Sequence, residues 1–262
     1  PEELSHTCGE YLNYLASRVS DGLPISRQDN LDNLVNADFL HTDRPPFTQL
    51  HFDSYKLNIY LTKVALGMGI NIVEDDVEQV VISDSGDIQK VVGKGSSYVY
   101  DFYVDAAGFN KPLISALGGT WRSFSKYLKM DSAITFPTFK DEGLNLWTLA
   151  KAMKSGWLFR IPTQGRYGNG YIFSSAHTDG KQAKKEVEEY LGYSIEVGKT
   201  FKFDPGCLEN SWIKNCCAVG LSAVFVEPLE ASSIGTTIQQ VFMLMHRLPN
   251  YTEEAITKYN QS

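Results

Sequence analysis

The chain has 262 residues, 43% of them hydrophobic and 12% aromatic, which is enough apolar surface for a packed interior and argues against a disordered chain. Its 24 Lys and Arg stand against 31 Asp and Glu, a net charge of −7, and no basic run exceeds Lys184-Lys185, so the electrostatic footprint of a nucleic-acid binder is absent. The least polar stretch, Cys216 to Val226, still contains Ser222 and falls well short of the roughly 20 apolar residues of a membrane helix, so no membrane span is predicted.

Residues 1–50 are polar and turn-rich, end in Arg44-Pro45-Pro46 and hold one amphipathic stretch from Leu4 to Val19; they read as a linking or lid segment. At His51-Phe52-Asp53 the pattern changes. Leu57, Tyr60, Leu61, Val64 and Met68 follow helical spacing behind Asp53 as N-cap, predicting a helix that ends near Gly67 or Gly69. Ile70–Val73, Val77–Ser83, Ile88–Val92 and Tyr98–Val104 read as strands, with a hairpin turn at Asp84-Ser85-Gly86-Asp87, so the helix feeds a small meander. The last strand runs into Asp105-Ala106-Ala107-Gly108, small residues that let a backbone pass close to a ligand or another element.

Short strands are predicted near Ala133–Phe136 and Asn145–Leu149, with Pro137 between them. Trp157–Ile161 and Tyr171–Phe173 follow as two strands joined by a glycine-rich turn through Gly165, Gly168 and Gly170. Lys181–Tyr190 reads as a charged surface helix with Glu186 and Glu189 beside Lys185. Trp212-Ile213 and Asn215 lead to an apolar strand, Cys216–Val219, whose adjacent cysteines face opposite sides, and then to Gly220-Leu221-Ser222-Ala223. After the loop Val226–Glu230 comes an apolar helix with Ile234, Ile238, Val241, Phe242 and Met245 on one face. Ser232 or Ser233 is its expected N-cap, and such a helix start suits an anion.

Four cysteines, Cys8, Cys207, Cys216 and Cys217, are too few and too clustered for a disulfide scaffold, and no CxxC or His-rich spacing suggests a metal; a reducing, cytoplasmic setting is the expectation. The opening Pro1-Glu2-Glu3-Leu4 has neither an initiator Met nor a signal-peptide pattern, as for an internal piece of a longer chain. No GxGxxG is present: Gly67-Met68-Gly69, Gly93-Lys94-Gly95 and Gly168-Asn169-Gly170 all lack the third glycine in register. The sequon Asn250-Tyr251-Thr252 reads as a chance match, His51 as a helix-entry residue and His177 as a surface-loop residue.

Several segments in fixed order resemble the flavin-dependent halogenases of the tryptophan halogenase type. They are His51-Phe52-Asp53, Val104-Asp105-Ala106-Ala107-Gly108-Phe109, Met130-Asp131-Ser132-Ala133, Ser155-Gly156-Trp157-Leu158-Phe159-Arg160-Ile161-Pro162, the stretch Arg166 to Ser175, and Asn215 to Ala223 continuing through Phe225-Val226-Glu227-Pro228-Leu229-Glu230. The resemblance covers about residues 45 to 245. It implies an α+β architecture: an FAD-binding fold of the glutathione-reductase and aromatic-hydroxylase kind with an inserted substrate-domain sheet. Residues 1–50 are then the linking or lid segment, 51–112 part of the FAD-binding domain, 113–205 the substrate-domain sheet, and 206–262 the return to the FAD-binding domain and the helix after the halide loop. The chain corresponds to the middle of such an enzyme, without the flavin phosphate loop, the catalytic lysine or the helical C-terminal part.

The activity so implied is halogenation of an electron-rich aromatic, indole-like substrate, in which reduced FAD, oxygen and chloride, bromide or iodide generate a hypohalous acid. A separate flavin reductase, a transient partner, supplies the reduced FAD. Carried over by motif, Glu230 is the active-site glutamate, and Ser232 and Ser233 stand where the family commonly has a Thr-Gly pair that holds the halide. A side chain at Ser233 in place of glycine implies a preference for bromide or iodide over chloride, and Ala231 departs from a serine often found beside the glutamate. Trp157, Phe159, Ile161 and Pro162 keep the WxWxIP barrier between flavin and substrate, with Phe159 replacing the second tryptophan. Ala107, Gly108, Gly220, Leu221 and Pro228 are expected at the cofactor.

Plainer readings stand beside these. A carboxylate such as Glu230 stabilises a helix N-terminus by about 0.3–1 kcal/mol with no catalytic part, and Trp157 and Phe159, two apart on a strand, are by default core residues. The alternatives to a halogenase are a flavin monooxygenase without halide chemistry and a non-catalytic aromatic-binding remnant.

Overall fold

The computed structural model describes residues 51–139, 148–163, 165–227, 229 and 232–262. The first helix, α1 (Ser54–Gly67), opens as its sequence requires: the Asp53 carboxylate accepts from the Tyr55 and Lys56 N–H groups at 3.0 and 3.3 Å. The same carboxylate pairs with Arg166 at 2.9 Å. That guanidinium, ahead of the backbone donors, holds Asp53 below the usual carboxylate range. At the other end Gly69, with φ 81°, turns the chain out of the helix.

The strand expected at Ile70–Val73 does not form. Those residues have no ladder partner among the described residues, and Ile70, Ile72 and Val73 are exposed. Pairing begins at β1 (Val77–Ile82), where β2 (Ile88–Gly93) lies antiparallel alongside, and β3 (Ser97–Tyr98) completes a three-stranded meander. The strand predicted over Tyr98–Val104 is two strands in two sheets. The Tyr103 hydroxyl accepts from the Tyr100 N–H at 3.1 Å and donates to the Tyr98 carbonyl at 3.4 Å, closing a corner. Beyond it β4 (Tyr103–Asp105) joins a different partner.

After the short helix α2 (Pro112–Ala116) and β5 (Trp121–Ser123), the chain builds its largest sheet. Its strands are β6 (Ser132–Phe139), β7 (Leu149–Ala152), β8 (Gly156–Thr163), β9 (Arg166–Phe173) and β10 (Lys199–Lys202), in the antiparallel order β10-β6-β9-β8-β7. Pro137 does not end β6 as expected. β10 pairs only with Ser132 to Thr135, so among the described residues that side of β6 has no partner at Pro137, where a strand tolerates proline. Of the strand predicted at Asn145–Leu149, residues 145–147 lie outside the described residues, and Leu149 is the first residue of β7.

β8 and β9 pair along their whole length, from Gly156 opposite Phe173 to Thr163 opposite Arg166. Gly168 and Gly170 therefore belong to β9 and not to a long turn. At Gly170 the reason is steric, because a Cβ there would overlap the Phe159 ring packed across it. Helix α3 (Gly180–Leu191), capped by Asp179 at 2.9 and 2.8 Å, covers one face of the sheet. The core between them holds Ile134, Phe136, Leu158, Tyr171, Phe173, Ala183, Val187 and Ile195. The expected surface helix is thus half interior. Glu186 is only 8% exposed and accepts from the Lys154 N–H at 2.6 Å and the Tyr171 hydroxyl at 2.9 Å. Burial, with help from that carboxylate, pushes the Tyr171 phenol up to about 12.

The closing segment supplies β11 (Gly206–Leu208), β12 (Trp212–Ile213), β13 (Cys216–Ala218) and β14 (Val224–Phe225). They form two small sheets, β14-β11-β5 and β12-β13-β4, and in the second β13 runs parallel to β4. Cys216 packs with Ile88, Ile114 and Ala218, while Cys217 faces the other way onto Trp212, Leu244 and Tyr259, as their alternation requires. The sequence ends in α4 (Ser232–Arg247) and α5 (Glu253–Asn260). Ser232 and Ser233 are the first helical residues of α4, not its cap: the Ser233 carbonyl already accepts from the Thr237 hydroxyl one turn on, at 2.7 Å.

Candidate functional site

The two small-residue turns picked out in the sequence lie side by side because the strands that precede them are parallel neighbours, Cys216 to Ala218 beside Tyr103 to Asp105. Loops beyond the carboxyl ends of parallel strands are where open α/β sheets place ligands. One side chain holds the two turns together. Asp105, 1% exposed, accepts from the Ala107 N–H at 3.1 Å, from the Leu113 and Ile114 N–H groups at 2.9 and 3.0 Å, and from the Ser222 hydroxyl at 3.2 Å. The Ser222 hydroxyl also reaches the Gly108 carbonyl at 3.0 Å. Sequence reasoning passed over Asp105 and Ser222 as organisers. The signal was an acidic residue at the end of an apolar strand, a position that burial makes costly unless donors surround it.

Of the five residues expected at the cofactor, Ala107, Gly108, Gly220 and Leu221 lie on these paired turns, and Pro228 lies outside the described residues. Gly108 has φ +69°, and nothing stands within 4 Å of where a Cβ would be. Gly220 has φ +61°, and its N–H donates to Gln240 on α4 at 2.7 Å, which brings that helix against the turn.

The barrier motif is divided by strand alternation. Trp157, Phe159 and Ile161 share the face of β8 turned away from α3, with the Trp157 and Phe159 rings 5.9 Å apart. Pro162 falls on the other face with Leu158 and is buried, so it belongs to the core side and not with the other three. Opposite Phe159 and Ile161 on β9 stand Gly170 and Gly168. Glycines at alternate positions leave that face open to the aromatic rings.

The chain that leaves β14 meets this face. Phe225 is gripped edge-on by Phe109 and Phe203 at 5.2 and 4.9 Å between ring centres, and two residues later Glu227 accepts a hydrogen bond from the Trp157 indole N–H. Glu227 was another residue the motif reading had not singled out. Glu230 and Ala231 lie outside the described residues; Ser232 and Ser233, both half-buried, begin α4. His51 contacts Thr148 at 3.2 Å beside the start of α1, and His177 is exposed. No helix of the described residues is long and apolar enough to cross a membrane.

Residues 43–262 match the tryptophan halogenase family. Tryptophan 7-halogenase RebH of Lentzea aerocolonigenes is 33% identical over 208 residues, which is 76% of this chain and 39% of that protein. The crystal structure of the tryptophan 6-halogenase SttH from Streptomyces toxytricini is 30% identical and superposes with a TM-score of 0.77 over 80% of this chain and 43% of its own. BrvH, a flavin-dependent halogenase from Brevundimonas sp. BAL3, is 28% identical with a TM-score of 0.76, covering 80% of this chain and 44% of that one. Across the curated relatives the chain spans between 39% and 48% of their length. With the family matched over residues 43–262 and the mixed helix and sheet architecture shared, the chain belongs to the tryptophan halogenase family.

Proposed function

We propose that this chain is the central part of a flavin-dependent halogenase acting on an electron-rich, indole-like aromatic. The observation that carries the reading is the meeting of two glycine-containing turns at the ends of β4 and β13, clasped by Asp105 and Ser222. These turns fit a flavin. Both glycines have positive φ, Gly108 leaves open the space a Cβ would fill, and the buried carboxylate holds the backbone in place. Ala107, Gly108, Gly220, Leu221 and Pro228 would hold FAD, and reduced FAD supplies the reducing equivalents with which oxygen activates a halide.

This chain's own residues do the rest. Ser232 and Ser233 offer the first N–H groups of a 16-residue helix, which have no intrahelical partner, to a halide. Trp157, Phe159 and Ile161 form an apolar wall that separates flavin from substrate and excludes water. Glu230, on the segment that follows Glu227, orients the oxidant and takes the proton that the ring loses as carbon–halogen bond formation completes.

The finer architecture belongs to the same reading: an FAD-binding fold of the glutathione-reductase and aromatic-hydroxylase kind, with 51–112 and 206–262 contributing to it, 113–205 as an inserted substrate-side sheet and 1–50 as a linking segment. Its support is that β13, late in the chain, returns to pair with β4, while the five-stranded sheet is built from strands lying between them in sequence. A separate flavin reductase and a cytoplasmic setting complete the proposal.

The test is to give the whole protein that contains this chain reduced FAD, oxygen, an indole and a mixture of chloride and bromide, and to weigh the product. A halide-dependent mass gain is expected, with bromide favoured by Ser233. A hydroxylated product independent of halide would instead identify a flavin monooxygenase, and chloride dominance would remove the role given to Ser233.

A further inference from the structure

The Trp157 indole is shared between two tasks. Its ring is part of the aromatic face of β8, and its N–H is committed to the Glu227 carboxylate. No described Lys, Arg or His pairs with Glu227, so the neutral indole is the partner the structure offers this half-buried carboxylate. Of the three side chains on the aromatic face only Trp157 can donate, because Phe159 and Ile161 carry no polar hydrogen. Glu227 itself is held from behind, since Phe225 is locked between Phe109, next to the Gly108 turn, and Phe203. Five positions on in the sequence, Ser232 begins α4.

From this arrangement we infer that Glu227 is a positioning residue: its hydrogen bond to Trp157 holds the segment that leaves β14 against the aromatic face, and so fixes where the chain enters α4 relative to that wall. The inference rests on the proposed halogenase reading for its consequence in catalysis, but the tether itself does not. A carboxylate is suited to the task because a charged acceptor shortens and strengthens an N–H hydrogen bond. The bond also ties the five-stranded sheet to the Phe109 and Gly108 turn, beside the ring contacts of Phe203 and Phe109 with Phe225.

The experiment uses the whole protein and four variants: Glu227→Leu, Glu227→Gln, Trp157→Phe and the Glu227→Leu/Trp157→Phe double. In proton–nitrogen NMR spectra the Trp157 indole signal is identified by its loss in Trp157→Phe. Glu227→Leu is expected to move that signal upfield and to shift the backbone amides of Leu229, Ser232 and Ser233, and Glu227→Gln, which keeps an acceptor oxygen, to restore most of both. Unmoved indole or amide signals in Glu227→Leu would overturn the tether. For catalysis, halogenated product per reduced flavin consumed should fall about 10- to 100-fold in Glu227→Leu, the scale of misplacing a reacting group by about an ångström. Glu227→Gln should recover, substrate KM should change little, and the double variant should be no worse than the worse single. Full coupling in Glu227→Leu despite shifted amides would overturn the positioning role. A wild type that makes no halogenated product would sink the halogenase reading, while the NMR signals would still decide the tether.

Discussion

The five-stranded sheet and the paired turns beyond β4 and β13 are held by opposite means. In the sheet the hold is apolar and distributed: Leu158, Tyr171 and Val187 are fully buried among many neighbours, and α3 seals the face. In the turns it is polar and concentrated, with Asp105 gathering three backbone donors and one hydroxyl. A distributed core tolerates the loss of one contact and keeps presenting the Trp157 face in one place, whereas turns gathered on one carboxylate have few other holders, the Ser222 bond to Gly108 and the Gly220 bond to Gln240. On the proposed reading, the difference suits a wall that must stay put while small residues approach a flat cofactor.

The largest expected effect lies on neither scaffold. Glu230→Gln in the whole protein should lower halogenated product by about 10²–10⁴-fold, the usual value of a general base, while reduced flavin is consumed at nearly the normal rate. Measuring flavin oxidation and product in one reaction separates the two, and a variant with undiminished product would return Glu230 to the role of a helix-terminus charge. Next comes the clasp. Asp105→Ala leaves the Ile114 and Leu113 N–H groups without their acceptor, while the Ser222 hydroxyl keeps the Gly108 carbonyl, and should cost about 2–6 kcal/mol at about 1–3 per orphaned group. Urea unfolding checks it, and a loss under 1 kcal/mol would mean that the turns are held as diffusely as the sheet.

A smaller effect is expected inside the sheet. Tyr171→Phe removes one of the two donors to Glu186 and should cost about 1.5–3 kcal/mol, as for a hydrogen bond to a charged group. It also carries a pH signature. Because the folded state holds the Tyr171 phenol up to about 12, above its ordinary value of 10, its contribution is intact below about pH 10 and is lost as pH rises toward 12. Unfolding midpoints compared at pH 8 and pH 11 should therefore fall for wild type by more than for Tyr171→Phe. Smallest of all is a rate difference among thiols. Burial pushes the Cys217 thiol up to about 12 and raises Cys216 as well, so a thiol reagent at pH 8 should label the part-exposed Cys207 long before either. Equal labelling would show that the parallel strand opens as readily as the loops.

Local pattern was enough wherever neighbours in sequence made the contact. Asp53 capping α1, the hairpin at Asp84 to Asp87 and the opposed cysteines of β13 all follow from spacing and side-chain chemistry. So did the two small-residue turns and the grouping of Trp157 with Phe159, because alternation along a strand is a local rule. The motif segments, taken in order, were enough to place the chain in its family.

Tertiary structure decided what depends on partners far along the chain. Ile70–Val73 has strand-like residues but no neighbour to pair with, and Tyr98 to Val104 is cut because its second half pairs with residues more than a hundred positions later. Gly168 and Gly170 look like turn residues until Phe159 and Ile161 are seen opposite them. Glu186 looks like surface charge until Tyr171 is found beneath it. The Asp105 clasp and the Trp157–Glu227 bond join residues 117 and 70 positions apart, and no window on the sequence contains both ends. The sequence by itself therefore determined the pieces of the site, since a residue's propensity and chemistry are its own. Their assembly was left to the fold, because hydrogen bonds and burial are properties of pairs.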